Sequence, residues 1–182
     1  MTVPSRRAVF LDRDGVLNQA VVREGKPYPP GNLAELKITP GAAGALGRLR
    51  EAGFLLLVVT NQPDVARGTQ SVAGVEAIHQ FLGSVLPIDD FLVCYHEDCD
   101  DCLCRKPRPG LLQQGAMRYD VDLTGSYMVG DRWRDVDAGR AAGCRTVFLD
   151  LGYLEPGPTH IPDAVVYSLA EAANWIIGRE SA

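Results

Sequence analysis

Short runs of apolar residues recur along the chain with the length and the flanking residues of buried β-strands. The runs are rich in Val, Leu, Ile and Phe, are too short for ordinary helices, and are bounded by Gly, Asp or Asn. They predict five strands, at 8–11, 54–59, 91–95, 126–129 and 146–149.

Segments with helical spacing of apolar residues lie between these strands. They predict helices at 40–52, 71–86, 109–119 and 134–142, with a last one near 169–177. Gly53 and Gly143 follow two of the segments, and Pro40 and Pro109 stand at the start of two, which is the usual punctuation of helix ends. Strands that alternate with helices predict an α/β fold. We expect a Rossmann-like parallel sheet with helices on both faces, in which ligands bind beyond the carboxyl ends of the strands.

Length and composition limit the classes of protein. The 182 residues suffice for one domain, and the polar loops at 22–37 and 151–163 are too short for another, so we expect a single domain over 1–182. Loops of this length leave room only for a minimal cap over the ligand-binding end of the sheet. The net charge of −5 argues against nucleic acid or an anionic membrane surface as a partner. No stretch approaches the roughly 20 apolar residues of a membrane span, which predicts a cytoplasmic protein. We expect it to act as a monomer.

Two carboxylates follow the first predicted strand. Asp12 and Asp14 are two residues apart, so their side chains point the same way if the extended chain continues, and Gly15 lets the backbone approach a ligand. Such a pair can hold a hard cation, although acids at strand ends are also common as surface and capping residues. Taken alone, residues 12–14 therefore leave both interpretations open, a cation site and ordinary surface or capping acids.

The ends of the other predicted strands favour one site for a phosphate and a metal. Thr60 and Asn61 can donate hydrogen bonds to phosphoryl oxygens, and Lys106 can supply a compact positive charge. Asp131 adds an oxygen ligand of the kind that Mg²⁺ prefers. Asp135 either braces Lys106 or the metal's water shell, or is only an acid favoured by a helix N-terminus.

Four of the five cysteines crowd into one short segment, which favours a metal site in a reducing compartment over a disulfide framework. Cys94, His96, Cys102 and Cys104 offer three thiolates and an imidazole, the donor set of a closed structural Zn²⁺ site in a loop at 94–104. Cys99 can replace Cys102 in a rival set of ligands. The acids on both sides of Cys99 favour an exposed position for this cysteine, outside the metal site.

Four stretches between residues 9 and 143 resemble the four motifs of the haloacid-dehalogenase-like (HAD) phosphohydrolases: FLDRDGVLN, VVTNQ, CRKPRPG and MVGDRWRDVDAG. The cysteine cluster narrows the resemblance to the subclass with the histidinol-phosphate and heptose-bisphosphate phosphatases. The resemblance implies that Asp12 is the nucleophile and becomes an aspartyl phosphate, while Asp14 protonates the leaving oxygen and then activates water. It also implies that the backbone carbonyl of Asp14 binds Mg²⁺. The carboxylates of Asp12 and Asp131 are the other expected ligands, and Thr60 and Lys106 complete the catalytic set.

Polar side chains next to these motifs are expected to bind the rest of the substrate: Asn61, Gln62, Arg67, Arg105 and Arg132. Several arginines together suit a bisphosphate. The stretch 62–68 resembles that of the heptose-bisphosphate phosphatases, with Pro63 and Asp64 in place of the usual Ser and Gly.

The expected activity is Mg²⁺-dependent hydrolysis of a small phosphorylated metabolite, and a heptose bisphosphate is the favoured substrate. A histidinol-phosphate phosphatase is the alternative, because the gap between His96 and Cys102 also matches the compact zinc loop of those enzymes. A non-catalytic, zinc-bearing interaction domain is a further alternative. His79, in the second predicted helix, is interpreted as a packed or surface residue and not as a ligand.

Overall fold

Six parallel strands form the central sheet of the protein, whose computed structural model describes residues 6–180. In chain order the described strands are β1 (Ala8–Leu11), β2 (Val21–Arg23), β3 (Lys26–Tyr28), β4 (Leu55–Asn61), β5 (Asp90–Cys94), β6 (Tyr127–Gly130), β7 (Arg145–Leu149) and β8 (Ala164–Val166). The sheet runs β5-β4-β1-β6-β7-β8, with every neighbouring pair parallel. Strands β2 and β3 form a separate antiparallel hairpin.

Helices cover both faces of the sheet, at α1 (Ala42–Glu51), α2 (Val72–Val85), α3 (Gly110–Tyr119), α4 (Trp133–Ala142) and α5 (Leu169–Glu180). Side chains alternate along each strand between the two faces. In β1, Val9 and Leu11 pack with α1, α2 and α5, whereas Ala8 and Phe10 pack with α3 and α4. The predicted parallel α/β fold is therefore confirmed. The chain ends at 1–5 and 181–182 lie outside the described residues.

The five predicted strands and five predicted helices are all present, and three further strands occur in segments predicted as loops or left unassigned. Strand β8 has only three residues, too few for a periodic pattern. The hairpin, at 21–28, begins one residue before the predicted loop 22–37 and occupies the first part of it. Its residues are largely exposed and include Pro27, so it lacks the apolar alternation that marks a strand packed on a core.

The hairpin turns back at Glu24 and Gly25, which both have positive φ, at 50° and 75°. Such a two-residue turn matches the twist of the flanking strands. The turn packs on the loop between β7 and β8, where Leu154 N–H donates to Gly25 O at 2.8 Å. A Cβ on Gly25 would come within 2.5 Å of the Leu154 side chain, so glycine permits this approach. The hairpin is the small cap beside the carboxyl ends of the strands.

Within residues 6–180, no helix combines the length and the apolar character needed to cross a membrane.

Candidate active site

A buried cluster of charged side chains lies at the carboxyl ends of the central strands. Asp12 directly follows β1, and its N–H donates to Val129 O at 3.0 Å, which holds it beside β6. Lys106 Nζ lies 2.9 Å from Asp12 Oδ1 and 2.6 Å from Asp135 Oδ1. The same ammonium donates to Val59 O at 2.8 Å. The expected nucleophile is thus in direct contact with the expected cation.

Three buried carboxylates lie together next to this ammonium group. Asp12, Asp131 and Asp135 each place an oxygen within 4.8 Å of the others, and all three side chains are buried. Burial and the charge of Asp135 raise the pKa of Asp12 to about 6, against the opposing effect of Lys106. Burial and the charge of Asp12 raise the pKa of Asp131 well above its usual value. The single ammonium group therefore does not neutralise the negative charge of the three carboxylates.

The surroundings of Asp131 fit a divalent cation. Both carboxylate oxygens of Asp131 are buried, and among the described residues no amide, ammonium or guanidinium group donates a hydrogen bond to them. Gly15 has a φ of +89°, and a Cβ there would lie 1.8 Å from Asp131 Oδ2, so only glycine lets the backbone after Asp14 come this close. Two carboxylates and a backbone carbonyl are hard oxygen ligands of the type that Mg²⁺ takes. The fold thus brings the expected magnesium residues to one point.

Asp135 performs both of the roles that the sequence left open. Its Oδ1 is bound by Lys106, and its Oδ2 accepts from Arg132 N–H at 3.0 Å in the first turn of α4. A Cβ on Gly130 would lie 2.1 Å from Asp135 Cβ, so glycine makes room for this side chain. Because both oxygens of Asp135 have partners, it positions Lys106 and is not a free metal ligand.

Asp14 lies beside this cluster with donors around its carboxylate. Asn18 Nδ2 donates to Oδ1 at 2.9 Å, and Gln62 Nε2 donates to Oδ2 at 2.8 Å. Arg13 Nη2 donates to both oxygens at 3.0 Å. The Asp14 side chain lines the pocket and is 17% exposed, so it can reach a bound substrate.

The residues at the end of β4 support the site more than they line it. Thr60 and Gln62 are each 1% exposed, and Gln62 Nε2 donates to Thr60 Oγ1 at 2.9 Å. Asn61 Nδ2 donates to Lys106 O at 3.0 Å, and Asn61 Oδ1 accepts from Lys106 N–H at 3.1 Å. Asn61 therefore fixes the backbone of Lys106, and it is the one of these three side chains that lines the pocket.

A pocket of about 300 Å³ opens beside the cluster. The three arginines expected to bind substrate lie on its rim, each paired with acids: Arg67 with Asp64 and Glu97, Arg105 with Asp98, and Arg132 with Glu155. Lys26 and Arg134 also line it, although neither was expected from the sequence. No sequence signal marks Lys26, because it lies on the unpredicted hairpin, whereas Arg134 lies within the fourth motif.

Two residues of the β7–β8 loop also reach the site. A Cβ on Gly15 would lie 3.0 Å from the Tyr153 hydroxyl as well as against Asp131, so this hydroxyl stands beside the proposed metal ligand. Burial and the charge of Asp131 raise the pKa of Tyr153, which keeps its hydroxyl protonated. Glu155 accepts from Arg132 Nε at 2.8 Å. No spacing in the sequence links these loop residues to the strand-end motifs.

The four expected zinc ligands converge at the end of β5. Cys94 Sγ lies 3.2 Å from Cys104 Sγ, 3.7 Å from Cys102 Sγ and 3.6 Å from His96 Nδ1. These separations are close to the roughly 3.8 Å edge of a tetrahedron with Zn–S bonds of about 2.3 Å. Cys99 is exposed and lies outside the cluster. The donor set and its spacing therefore fit a tetrahedral Zn²⁺.

Comparisons with known proteins agree with this geometry. A family model described as HAD-hydrolase-like matches residues 103–172. The Pseudomonas aeruginosa D-glycero-beta-D-manno-heptose-1,7-bisphosphate 7-phosphatase is 37% identical over 153 residues, covering 81% of this chain and 83% of that protein. The Mycobacterium bovis D-glycero-alpha-D-manno-heptose-1,7-bisphosphate 7-phosphatase is 39% identical over 150 residues, covering 76% and 77%. The D,D-heptose 1,7-bisphosphate phosphatase of B. bronchiseptica, crystallised with magnesium and phosphate, superimposes with a TM-score of 0.77 at 33% identity, covering 95% and 99%.

The fold, the strand-end motifs and these relatives define a phosphatase of the HAD-like hydrolase class. Within that class, the chain belongs to the family of the heptose-1,7-bisphosphate 7-phosphatases. The resemblance carried by the four motifs and the cysteine cluster is thereby confirmed.

Proposed function

We propose that the chain removes the 7-phosphate from a D-glycero-D-manno-heptose 1,7-bisphosphate in a Mg²⁺-dependent reaction. The observation that carries this proposal is the buried contact of Lys106 with Asp12 and Asp135, next to a pocket with a cationic rim. The relatives from P. aeruginosa and M. bovis are named for this activity. The six parallel strands of the described residues form one central sheet, which supports our proposal that the whole chain is one domain. We also propose that it acts as a monomer.

In the first proposed step the carboxylate of Asp12 attacks the phosphorus atom of the 7-phosphate. The bond from phosphorus to the sugar oxygen breaks as the bond to Asp12 forms, and Asp14 transfers its proton to the leaving oxygen. Lys106, 2.9 Å from Asp12, offsets negative charge that would otherwise repel the incoming phosphate. The products are the free sugar hydroxyl and an aspartyl phosphate at Asp12.

In the second proposed step Asp14 takes a proton from water while the water oxygen attacks the same phosphorus atom. The bond to Asp12 breaks, inorganic phosphate leaves, and both carboxyl groups return to their starting states. A Mg²⁺ bound by Asp12, Asp131 and the Asp14 carbonyl supplies positive charge for the phosphoryl oxygens in both steps. The magnesium and phosphate in the B. bronchiseptica relative support this choice of cation.

The rim of the pocket supports a substrate with a second phosphate. Apart from Asp14 and the central cluster, five cations line it against three acids: Lys26, Arg67, Arg105, Arg132 and Arg134 against Asp64, Asp98 and Glu155. Asp98 lies between Arg105 and Arg134, at 2.8 Å from each, and their hydrogen bonds hold the pKa of Asp98 below its usual range. A phosphate dianion can exchange with this carboxylate on the arginines. The protonated amine of histidinol phosphate is itself a cation, so it cannot take the place of a carboxylate on these arginines.

We expect kcat/KM to be about 100-fold higher for heptose 1,7-bisphosphate than for histidinol phosphate, since charge-assisted hydrogen bonds to a second phosphate contribute about 1.5–3 kcal/mol each. Released phosphate is measured with Mg²⁺ present. Heptose 7-phosphate is the matched control, because it keeps the reacting group and lacks the second phosphate. A preference for histidinol phosphate would replace the proposed substrate with the alternative one, and turnover of none of the three would contradict the sugar assignment.

We further propose that Cys94, His96, Cys102 and Cys104 bind one structural Zn²⁺. The proposal rests on their convergence and on the closed donor set, which leaves no position open for substrate. The loop that they anchor continues directly into Lys106. A bound Zn²⁺ fixes that loop and, with it, the segment that delivers the ammonium group to Asp12.

Removal of zinc by a chelator should lower kcat/KM about 10-fold or more, because supporting residues around a metal site commonly contribute 10- to 100-fold. Zinc content, activity and proteolysis of the loop are measured on the same Mg²⁺-supplemented sample. Cys102→Ser should lose zinc, whereas the matched variant Cys99→Ser should keep it, since Cys99 is exposed and outside the cluster. Full activity in a preparation shown to be free of zinc would contradict the structural role.

A further inference from the structure

Arg13, between the two catalytic aspartates, is buried instead of facing solvent. Its side chain is 1% exposed. The residue begins a tight turn in which its carbonyl oxygen accepts from Leu17 N–H at 2.8 Å and from Asn18 N–H at 3.2 Å. A buried guanidinium is costly unless its donors are paired. The partners of Arg13 therefore show what the side chain does.

Arg13 joins the carboxylate of Asp14 to a histidine from a distant helix. Its Nε and Nη2 donate to Asp14 Oδ1 at 3.1 and 3.0 Å, and Nη2 also reaches Asp14 Oδ2 at 3.0 Å. Its remaining terminal nitrogen, Nη1, lies 3.1 Å from His79 Nε2. His79 is in α2, which is 66 residues further along the chain.

His79 has the protonation state that this contact requires. A guanidinium nitrogen can only donate, so His79 Nε2 must accept with its lone pair. Burial and the nearby charge of Arg13 lower the pKa of His79 to about 4, which keeps the ring neutral near pH 7. The ring also stacks on Phe91, at a centroid distance of 4.5 Å and an angle of 13°. His79 is thus a fixed acceptor behind Arg13.

We propose that Arg13, held from behind by His79, is a positioning residue that fixes the carboxyl group of Asp14 for proton transfer to and from the reacting oxygens. This inference rests on the acid–base role of Asp14 in the proposed function. The planar fork of a guanidinium fixes both the location and the plane of a carboxyl group. The other two donors, the amides of Asn18 and Gln62, each contact only one oxygen. His79 acts by fixing the guanidinium from its far side.

The leaving group distinguishes positioning of an acid from a general structural role. A sugar oxygen needs a proton as its bond to phosphorus breaks, whereas a nitrophenolate leaves without one. The value of kcat/KM reports steps only through formation of the aspartyl phosphate. A displaced Asp14 therefore slows this parameter for a sugar phosphate and leaves it nearly unchanged for p-nitrophenyl phosphate.

The test measures kcat/KM for both substrates in His79→Phe, which keeps an aromatic ring against Phe91 but has no acceptor for Arg13. We expect about a 10- to 100-fold loss with the sugar phosphate, the size of effect that small misplacements cause, and less than about a twofold change with the aryl phosphate. Arg13→Lys keeps the charge without the fork and should show the same selective loss. His79→Gln, which restores an acceptor, should recover most of the loss, and Gln80→Ala, exposed on α2, is the matched control.

Equal losses with both substrates, or no loss with either, would overturn the positioning role. Asp14→Asn separates this result from a failure of the proposed function. If Asp14→Asn shows the selective loss and the Arg13 and His79 variants do not, only the positioning role is wrong. If Asp14→Asn itself shows no selective loss, the acid–base role assigned to Asp14 is wrong.

Discussion

Asp12→Asn should reduce phosphate release by about 10⁴-fold or more, the scale seen when a covalent nucleophile is removed. The amide of asparagine keeps the shape of the carboxylate but cannot form the aspartyl phosphate. Phosphate release from a phosphomonoester is measured with Mg²⁺ present. Turnover comparable to wild type in the purified variant would disprove the assignment of Asp12 as nucleophile.

The same variant should be folded and at least as resistant to unfolding as the wild type at pH 7. The pKa of Asp12 is raised to about 6, which means that its negative charge is less favourable in the folded protein than in the unfolded chain. Removing that charge relieves repulsion from Asp131 and Asp135. Urea unfolding in metal-free buffer measures this effect. Asp120→Asn is the matched control, because Asp120 is exposed and has a φ of 55°, which asparagine also tolerates.

Lys106→Met should lower both activity and stability. Methionine fills a similar volume but leaves Asp12 and Asp135 without the ammonium that both contact, and Asp131 without a nearby positive charge. Breaking a buried ion pair typically costs about 3–5 kcal/mol. We expect the free energy of unfolding in metal-free buffer to fall by about that amount. We also expect kcat/KM to fall by about 10³-fold, because the charge of the incoming phosphate is no longer offset.

Lys37→Met controls for the substitution itself, since Lys37 is an exposed lysine. Its unfolding free energy and kcat/KM should stay close to those of the wild type. A Lys106→Met protein that unfolds at the wild-type urea concentration would show that the three carboxylates are compensated by another group. Wild-type kcat/KM in that protein would remove Lys106 from the catalytic set.

The parts of the molecule that the sequence predicted well are those marked locally. Strands β1 and β6 are short apolar runs, and the residue after each is an acid of the cluster. Parallel strands place their carboxyl ends together, so the convergence of Asp12 and Asp131 follows from the topology. The convergence of Cys94, a proposed zinc ligand at the end of β5, with His96, Cys102 and Cys104 was also expected from spacing, because all four lie within the same short loop.

The parts that escaped prediction depend on contacts between distant segments. Arg13 resembles an ordinary charged residue between two acids until α2 places His79 behind it. Tyr153 reaches Asp131 through a loop with no periodicity, and Lys26 lies on strands of three residues that have no apolar alternation. Asn61 and Gln62 were expected to bind substrate. What the sequence did not show is that their amides contact Lys106 and Asp14, because buried backbone and carboxylate groups need partners as much as a ligand does.

The run of Tyr153, Leu154 and Glu155 has a consequence for how this protein can vary. Surface loops ordinarily accept insertions and deletions. Here three successive residues each contact a different neighbour, namely the surroundings of Asp131, the hairpin turn and Arg132. One inserted residue moves part of the run by roughly 3.3–3.6 Å, so at least one contact is lost. A change of length in this loop therefore has to be matched by a change in the hairpin or in the partner of Arg132, and these segments must evolve together.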